Sequence, residues 1–416
     1  MKILLIGNHT CGNRGDGAIL RGLALELERR FPGVELEITS RYPVSSSWLL
    51  GRPCRDDIFH RWHARRAASA LDRLRARAAN KLLPALMAQA LSWPWLIQLL
   101  PKPVRDEIAR MRQCDAVVQV GGSFFIDLYG SAQLEGPFAA LLSGRPLYLI
   151  GHSMGPFGGR MYRWLVGRLL RYAQVTVLRE SISLGLLQKS GLPAARVQSG
   201  ADTAWLVDPA PPLLPQSGWW STRDRRRPLV AITVRELAPF DRRLGVTQDE
   251  YEAAFARLAG HLIGRGCDVV AVSTCTGIDS YHRDDRMNAL RIAARVGDGA
   301  HLHVLMDECS DVELGRLLGA CELLVGTRLH SAIIAMNFGT PAIAINYEHK
   351  SAGVLRQLGL PELACDVAEL MSGQLVARVD AVLDDPAGWR QRVAVCVAGE
   401  RQRARGSVGY VLAEKS

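Results

Sequence analysis

Lys2-Ile3-Leu4-Leu5-Ile6-Gly7 is a short run of apolar residues at the start of the chain, as expected for a strand buried on both faces of a parallel sheet. A glycine-rich loop follows, Asn8-His9-Thr10-Cys11-Gly12-Asn13-Arg14-Gly15-Asp16-Gly17. Residues 18–30 then carry apolar side chains at helical spacing, and residues 34–40 alternate as a second strand. The chain therefore opens with a βαβ unit, which predicts an α/β fold.

The same alternation of buried strands and helices recurs in both halves of the 416 residues. Between the halves, residues 209–228 are rich in proline, then in tryptophan and arginine, without periodicity, and we interpret them as a linker. The sequence therefore predicts two Rossmann-like domains, 1–208 and 229–416, facing a cleft that holds the ligand site. Further strands are predicted at 115–120, 146–150, 174–178, 229–234, 267–273, 301–306, 322–325 and 342–346.

Residues 54–112 interrupt this pattern and are predicted to form an insertion of basic helices. The insertion ends in the apolar stretch Leu91-Ser92-Trp93-Pro94-Trp95-Leu96-Ile97-Gln98-Leu99-Leu100. Two tryptophans beside many arginines suit peripheral contact with an anionic membrane surface. Alternatively, the tryptophans pack on their own domain. The sequence leaves both interpretations open.

Composition narrows the choice of partners. A net charge of +10 fits nucleic acid, an anionic membrane or anionic substrates, but no nucleic-acid-binding motif accompanies it. We therefore predict no nucleic-acid partner.

The nine cysteines are scattered without a CxxC pair, and no HExxH or DxD spacing occurs, so neither disulfides nor a metal are predicted. Without a signal peptide or a membrane span, we expect a cytoplasmic protein, or one at the inner face of the inner membrane.

The sharpest candidate site is Gly326-Thr327-Arg328-Leu329-His330-Ser331, between a predicted strand and a helix. The start of a helix binds anions, and the planar fork of Arg328 suits phosphate or carboxylate. His330, in the same turn, can move a proton near neutral pH. The alternative is a buried histidine and an arginine in a structural ion pair.

Arg235 is the second candidate anion ligand, because it ends the first strand of the second domain. Two arginines at one edge would suit a ligand that bears both phosphate and carboxylate. The competing interpretation is an ion pair of Arg235 with Glu236 or Asp241. The adjacent carboxylates Asp284 and Asp285 are interpreted as a solvated face.

The first domain offers weaker candidates. The loop around Asn13 is neither GxGxxG nor a P-loop, so a nicotinamide or ATP fingerprint is absent. Asp16 could accept hydrogen bonds from sugar hydroxyls, or act as a helix cap. Asp202 lies just before the linker. Four further residues lie at or after strand ends of the first domain: Asp127, Glu135, His152 and Glu180. Any of these five could serve as a base for a sugar hydroxyl, although each alone is more often structural. Gly121-Gly122-Ser123 is a tight turn where the backbone can approach a ligand.

Taken together, these motifs resemble the polysaccharide pyruvyl transferase family, and most closely its colanic acid pyruvyl transferases. The resemblance covers almost the whole chain except residues 54–112. It is carried by residues 7–16, 40–50, 120–125, 151–157, 235–241, 273–281, 326–331 and 346–351.

The resemblance implies a fold similar to two-domain (GT-B type) glycosyltransferases and phosphoenolpyruvate as co-substrate, without a cofactor. The implied phosphoenolpyruvate-binding residues are Arg235, Arg328, Leu329, His330 and Ser331. The implied reaction places a pyruvate ketal on a sugar of a colanic-acid-like repeat unit, with a lipid-linked oligosaccharide as the expected acceptor. His330 is then the general acid.

Under the same interpretation, Asp16 or Asp202 serves as the base, and Asn13, Asp16, Gly121, Gly122, Ser123 and His152 contact the acceptor. Two residues depart from much of the family: Ser123 replaces a glycine and His152 replaces a glutamine, and both lie in the first domain, where the acceptor is expected to bind. Two rival functions stay open, a nucleotide-sugar glycosyltransferase of the same fold and a non-catalytic partner of the assembly machinery.

Overall fold

The computed structural model describes residues 1–65, 82–278, 284–346 and 349–413. These residues form two compact units, each built around a parallel β-sheet. The first unit comprises Met1–Thr10, Ile19–Leu206 and the chain from Arg401 on. The second comprises Cys11–Ala18 and Val207–Glu400.

The sheet of the first unit has eight strands: β1 (Lys2–Asn8), β2 (Glu35–Ser40), β3 (Arg55–Asp56), β4 (Ala116–Gln119), β5 (Gly122–Phe125), β6 (Leu147–Met154), β7 (Val175–Leu178) and β8 (Val197–Ser199). They pair in parallel in the order β3-β2-β1-β4-β6-β7-β8, and β5 pairs with β6. The central strands β4 and β6 are buried along their whole length, as expected for strands of a parallel sheet that is covered on both faces. The strand order reverses between β1 and β4, and such topological switch points are where open α/β sheets bind ligands.

Helices pack on the first sheet through apolar faces, which are formed by apolar residues at helical spacing. In the helix at residues 160–172, Leu165, Val166, Leu169 and Leu170 recur at that spacing and are buried in the core of the unit. The helices of this part of the chain are α1 (Arg14–Arg30), α2 (Pro43–Leu50), α3 (Ile58–Arg65), α4 (82–90), α5 (Lys102–Met111), α6 (Glu135–Leu142), α7 (Arg160–Tyr172) and α8 (Ser181–Lys189).

The sheet of the second unit has six strands: β9 (Leu229–Thr233), β10 (Asp268–Ala271), β11 (Leu302–Val304), β12 (Leu323–Gly326), β13 (Ala342–Asn346) and β14 (Ala364–Asp366). They are all parallel and pair in the order β11-β10-β9-β12-β13-β14. Its order reverses between β9 and β12. The helices are α9 (Trp219–Thr222), α10 (Asp241–Leu244), α11 (Gln248–Gly264), α12 (Arg286–Val296), α13 (Asp311–Gly319), α14 (Leu329–Asn337), α15 (His349–Leu358), α16 (Val367–Ser372), α17 (Leu375–Asp384) and α18 (Pro386–Gly409).

Each strand predicted from the sequence is present, and four short strands, β3, β5, β8 and β14, are additional. The division into units differs from the predicted one in three places. Residues 11–18 and the predicted linker, 209–228, group with the second unit, and the chain from Arg401 on groups with the first. The insertion predicted at 54–112 contains α3, α4 and α5 together with strand β3, while its residues 66–81 lie outside the described part.

Candidate active site

The predicted anion ligands of the second unit lie where its strand order reverses. Arg235 follows β9 by two residues, and Arg328 follows β12 by two. These strands are adjacent and parallel, with Gly326 opposite Thr233. The structure therefore places both arginines at one edge of the sheet, at its topological switch point.

Hydroxyl groups fix the turn that carries the RLH motif. The hydroxyl of Ser331 donates to the carbonyl of Arg328 over 2.6 Å. The hydroxyl of Thr233 lies 2.8 Å from the Ser331 hydroxyl and can donate to it. The Ser331 side chain is completely buried. Ser331, predicted as a ligand of phosphoenolpyruvate, thus holds the turn in shape, while Leu329 and His330 are half-buried in the first turn of α14.

The guanidinium of Arg328 forms a two-pronged ion pair with Asp285. Its Nε and Nη2 donate to the two carboxylate oxygens over 2.6 and 2.8 Å. The side chain of Asp285 is only 2% exposed, so the interpretation of Asp284 and Asp285 as a solvated face is wrong for Asp285. Asp285 becomes buried because it pairs with a cation 43 residues away. The pair fixes the direction of the Arg328 fork at the start of α14.

The buried side chain of Tyr251 holds the backbone of the second arginine, Arg235, by a hydrogen bond. The backbone N–H of Arg235 donates to the hydroxyl of Tyr251 over 3.3 Å, and that hydroxyl lies 2.5 Å from Oγ1 of Thr327. Burial raises the pKa of Tyr251, so its hydroxyl stays protonated. Because Oγ1 of Thr327 donates to the carbonyl of Thr233, the hydroxyl of Tyr251 can donate to Thr327. The guanidinium of Arg235 donates from Nε to the carbonyl of Glu236 and lies over the ring of Phe240, 5.2 Å from its centroid. Tyr251 therefore connects the ends of β9 and β12.

Residues 11–18 group with this unit because Arg14 is anchored in it. Its side chain is 1% exposed, and Nη2 lies 2.5 Å from a carboxylate oxygen of Glu308 and 3.0 Å from the hydroxyl of Thr276. The other donors of the guanidinium bind the carbonyls of Cys309, Gly12 and Cys11. All five N–H groups of Arg14 are thereby used. Arg14 acts as a structural anchor for the glycine-rich loop.

The anchored loop places the start of α1 against His330. A Cβ atom added to Gly15 would lie 2.6 Å from Cβ and Cγ of His330 and 2.8 Å from Nδ1. Asn13 caps the helix, since its Oδ1 accepts from the N–H of Gly15 over 3.1 Å. Asp16 is therefore not the capping residue; it lies half-buried in the first turn of α1, directly after Gly15. The structure thus brings Asn13, Asp16 and His330 into the same unit.

The first unit holds Asp202 in a buried ion pair. Nη1 of Arg179 donates to one oxygen of Asp202 over 2.6 Å, and the N–H of Ala204 donates to the other over 2.9 Å. The same guanidinium donates to the hydroxyls of Ser153 and Ser123, each over 2.8 Å. This cluster explains the positions of Ser123 and Asp202 structurally, and a role of either in the chemistry stays a prediction.

His152 lies in the interior of the first unit with no exposed surface. Its Nε2 lies 3.3 Å from the carbonyl of Gln119, and burial lowers the pKa of the imidazole to about 3. The ring is therefore neutral at physiological pH and packs on Phe125. This geometry does not present His152 to an acceptor. Gly121 and Gly122, predicted to contact the acceptor, are also buried.

Among the described residues, no group of three or more histidine, cysteine, aspartate or glutamate side chains could hold a metal ion. His301 and His303 are one residue apart, but their side chains have other partners. Nδ1 of His301 lies 3.0 Å from Asp268, and His303 stacks on Trp219 with the ring centroids 5.0 Å apart.

Comparison with known proteins decides the family. The sequence profile described as polysaccharide pyruvyl transferase matches residues 13–349. The chain belongs to the polysaccharide pyruvyl transferase family. This pyruvyl transferase is also 48% identical, over 406 residues and 96% of each chain, to the amylovoran biosynthesis protein AmsJ of Erwinia amylovora. The prediction of the family is confirmed, and the chain is a transferase of polysaccharide biosynthesis.

Solved structures confirm the predicted fold class for this pyruvyl transferase. Anabaena HepE in complex with UDP-glucose superposes with a TM-score of 0.60 at 15% identity, over 99% of each chain. The UDP-GlcNAc 2-epimerase of Neisseria meningitidis superposes with a TM-score of 0.56 at 10% identity, over 99% of this chain and 100% of that one. The pyruvyl transferase thus has two Rossmann-like domains of the type that two-domain (GT-B type) glycosyltransferases have.

Several residues that shape the site of this pyruvyl transferase were not predicted. Arg14, Arg179, Tyr251 and Asp285 are buried polar side chains whose partners lie far away in the sequence. A local signal existed for Arg14 alone, because it lies between glycines in a loop after the first strand. The others stand in helices or at element ends without a distinguishing pattern.

Proposed function

We propose that the chain transfers the enolpyruvyl group of phosphoenolpyruvate to two hydroxyls of one acceptor sugar, forming a pyruvate ketal and releasing phosphate. The observation that carries this proposal is the switch point of the second unit, where Arg235, Arg328 and the start of α14 share one sheet edge. The start of a helix favours anions, and arginine forks match phosphate and carboxylate. Phosphoenolpyruvate carries both groups on a three-carbon frame.

In the proposed reaction, His330 donates a proton to the methylene carbon of phosphoenolpyruvate, which becomes the methyl group. The positive charge that develops on the adjacent carbon is attacked by one sugar hydroxyl. The bond from that carbon to the phosphate oxygen then breaks, and a second hydroxyl closes the ketal. Of the two hydroxyl protons, one replaces the proton that His330 gave and the other leaves with phosphate. No cofactor or metal takes part.

The geometry also supports an order among the candidate bases. Asp16 belongs to the same unit as His330 and directly follows Gly15, where an added Cβ atom would meet the ring of His330, whereas Asp202 belongs to the first unit. We therefore assign Asp16, before Asp202, as the base that first accepts a hydroxyl proton, before that proton replaces the one that His330 gave. Holding the reacting groups in one fixed arrangement supplies much of the rate, because orientation alone can offset about 7 kcal/mol or more of the barrier.

The ion pair with Asp285 sets how Arg328 can bind the co-substrate. One edge of the fork is held by the carboxylate of Asp285, and we place the anion beside it, at the N–H groups of the start of α14. Arg235 supplies the second positive charge. Asp285 thereby holds Arg328 in one rotamer before the ligand arrives, which reduces the entropy lost on binding.

For the acceptor, the relative named for amylovoran biosynthesis supports a repeat unit of a bacterial exopolysaccharide. We extend this to a colanic-acid-like repeat unit, carried on a lipid-linked oligosaccharide at the inner face of the inner membrane. None of the described helices is long and apolar enough to cross a bilayer. We propose that contact with the lipid is peripheral.

A surface of the first unit supports that peripheral contact. Trp93, Trp95 and Leu99 are 59%, 63% and 61% exposed, and Leu82 and Met161 are exposed to a similar degree. An apolar groove of about 1000 Å³ runs between α4 and the start of α7, and it includes Leu82, Leu99 and Met161. Exposed tryptophans with arginine and lysine nearby are typical of proteins that rest on anionic lipid. The neighbouring exposed cations are Lys102, Arg105 and Arg160.

The proposal is tested by incubating the purified full-length chain with phosphoenolpyruvate and lipid-linked oligosaccharides extracted from the source cells. We expect phosphate release that depends on the acceptor, and a product whose mass exceeds that of the acceptor by one pyruvic acid less one water, with a new methyl signal in its proton NMR spectrum. His330→Ala should remove this turnover while circular dichroism shows an unchanged fold. Turnover near that of the unaltered chain in His330→Ala would refute the assigned acid.

The same reaction mixture separates the rival functions. A nucleotide-sugar glycosyltransferase would leave phosphoenolpyruvate untouched and would consume UDP-hexoses added in its place. A non-catalytic partner would consume neither. Either result would contradict the proposal.

A further inference from the structure

The first unit contains a polar cavity to which the proposed function assigns no role so far. It has a volume of about 220 Å³ and lies at the carboxyl ends of β1, β2 and β4, where Gly7, Thr39 and Gln119 line it. These strands include β1 and β4, between which the order of the first sheet reverses. Its position is therefore the ligand-binding position of an open α/β sheet. The volume equals roughly seven water molecules at about 30 Å³ each, enough for one monosaccharide residue.

A histidine and a glutamate form one wall of this cavity. Nε2 of His63, in α3, lies 2.8 Å from Oε2 of Glu135, the first residue of α6. Glu135 is completely buried and His63 is 18% exposed. Burial raises the pKa of Glu135, and the hydrogen bond to His63 opposes that rise. The carboxylate fixes the orientation of the imidazole, so that Nδ1 is left for another partner.

Three buried polar atoms around the cavity lack a partner among the residues that the structure describes. Within the described part of the chain, Nδ1 of His63, Oε1 of Glu135 and Oε1 of Gln119 have no hydrogen-bond partner. With Nε2–H of His63 donating to Glu135, all three atoms are acceptors. Acceptors are satisfied by donors, and hydroxyl groups are donors, whereas phosphate and carboxylate groups are not. The cavity therefore suits a neutral ligand rich in hydroxyls better than an anion.

The backbone keeps Gln119 in place over the end of β1. A Cβ atom at Gly7 would lie 1.9 Å from Nε2 of Gln119, and the φ of Gly7 is +85°. Glycine at this position lets the amide cross the strand end and face the cavity. At the rim, Nη2 of Arg41 donates to Gln133 over 2.5 Å, and its Nε lies 3.8 Å from Asp57. Arg41, which lines the cavity, is therefore already paired within the protein.

We propose that this cavity binds one sugar residue of the acceptor, and that the His63–Glu135 pair positions it by accepting hydrogen bonds from its hydroxyls. The proposal rests on the proposed function, because it supplies the acceptor site of that reaction. His63 lies in the insertion that carries little of the family resemblance, so the cavity would set which sugar this chain accepts. Of the residues predicted from the sequence to contact the acceptor, Ser123 is half-buried and accepts a hydrogen bond from Arg179, and His152 is completely buried.

The test measures binding of methyl α- and β-hexopyranosides of glucose, galactose and mannose by saturation-transfer NMR, and binding of phosphoenolpyruvate by calorimetry. We expect at least one hexoside to bind the unaltered chain. In Glu135→Gln its affinity should fall about tenfold, the effect of losing a hydrogen bond to a buried charged group. Phosphoenolpyruvate affinity should not change. Asp380→Asn is the matched control, since Asp380 forms a similar pair with His261 over 2.9 Å in the second unit.

Hexoside binding that survives Glu135→Gln, or that is absent from the unaltered chain, would overturn the cavity proposal while leaving phosphoenolpyruvate binding intact. Failure to bind phosphoenolpyruvate would instead overturn the proposed function. If Glu135→Gln does not fold, His63→Gln serves as the second variant, because its side chain is partly exposed and tolerates an isosteric change. Weakened hexoside binding in a folded His63→Gln chain supports the proposal, and unchanged binding refutes it.

Discussion

Replacing Gly15 by alanine should disable the enzyme without unfolding it. The new Cβ atom would lie 2.6 Å from Cβ and Cγ of His330 and 2.8 Å from Nδ1. Carbon atoms in ordinary contact are about 3.5 Å apart, so the ring or the helix start has to move by about 0.9 Å. The obstacle includes Cβ of His330, close to the backbone of α14, so a simple rotation of the ring does not relieve it.

A displacement of this size has a large kinetic effect. Misplacing a catalytic group by about 1 Å can lower the rate about 100-fold, which corresponds to about 2.7 kcal/mol of barrier. Stability should change little, because alanine in a helix is favoured over glycine by up to about 1 kcal/mol, which offsets part of the strain. The expected signature is a folded protein with kcat lowered about 100-fold.

The assay is acceptor-dependent phosphate release, with thermal unfolding measured on the same preparations. Gly17→Ala is the matched control in the same helix, since a Cβ there would meet Cβ of Cys11 at an ordinary 3.5 Å. Gly17→Ala should keep kcat within about twofold, for lack of a clash. If Gly15→Ala and Gly17→Ala turned over equally, the placement of His330 beside the helix start would have no catalytic meaning and the reasoning would be refuted.

Three further perturbations test other parts of the molecule. Asp285→Asn should destabilise the fold by about 3 kcal/mol, because it leaves Arg328 without its buried counter-ion. Urea unfolding measures the change in the free energy of unfolding, and a loss below about 1 kcal/mol would contradict the prediction. Burial lowers the pKa of His152 to about 3, from about 6.5 in the unfolded chain. The unfolded state therefore binds a proton at a higher pH than the folded state, and the free energy of unfolding falls as the pH drops below about 6.5. Between about pH 7.5 and 5.5 this loss is about 1.4 kcal/mol, and His152→Gln should unfold with a correspondingly weaker pH dependence; an unchanged dependence would exclude His152 as its source. Replacing Trp93 and Trp95 by serine should lower the fraction of protein that sediments with phosphatidylglycerol vesicles about tenfold. Turnover of a water-soluble acceptor should not change. Equal sedimentation of the two proteins would argue against this surface as the lipid contact.

The sequence was sufficient to predict the sheets and the edge that carries the arginines. Buried parallel strands are continuous apolar runs, and the position of Arg328 between a strand and a helix follows from the spacing alone. Strands β5 and β14, of four and three residues, were missed. Such short segments become strands through pairing with a neighbour rather than through their own pattern.

The parts of the site that the sequence did not reveal depend on contacts between distant residues. The sequence predicts a surface position for Asp285, because nothing near it indicates a partner 43 residues away. The grouping of residues 11–18 with the second unit depends on Arg14 reaching Glu308, 294 residues away. The His63–Glu135 pair joins the insertion to α6 across 72 residues. Helical and strand periodicities report which face is buried, but they do not report which polar side chains meet there.

Calorimetric titration of phosphoenolpyruvate into the full-length chain and two arginine variants tests the central claim most directly. We predict saturable binding with a Kd below about 1 mM for the unaltered chain and a loss of at least about tenfold for Arg328→Ala. Arg226→Ala removes the same charge from the surface of the second unit, where Arg226 is 91% exposed beside Asp224, and should bind normally. Equal affinity of all three proteins, or absence of binding to the unaltered chain, would contradict the assignment of the switch point as the phosphoenolpyruvate site.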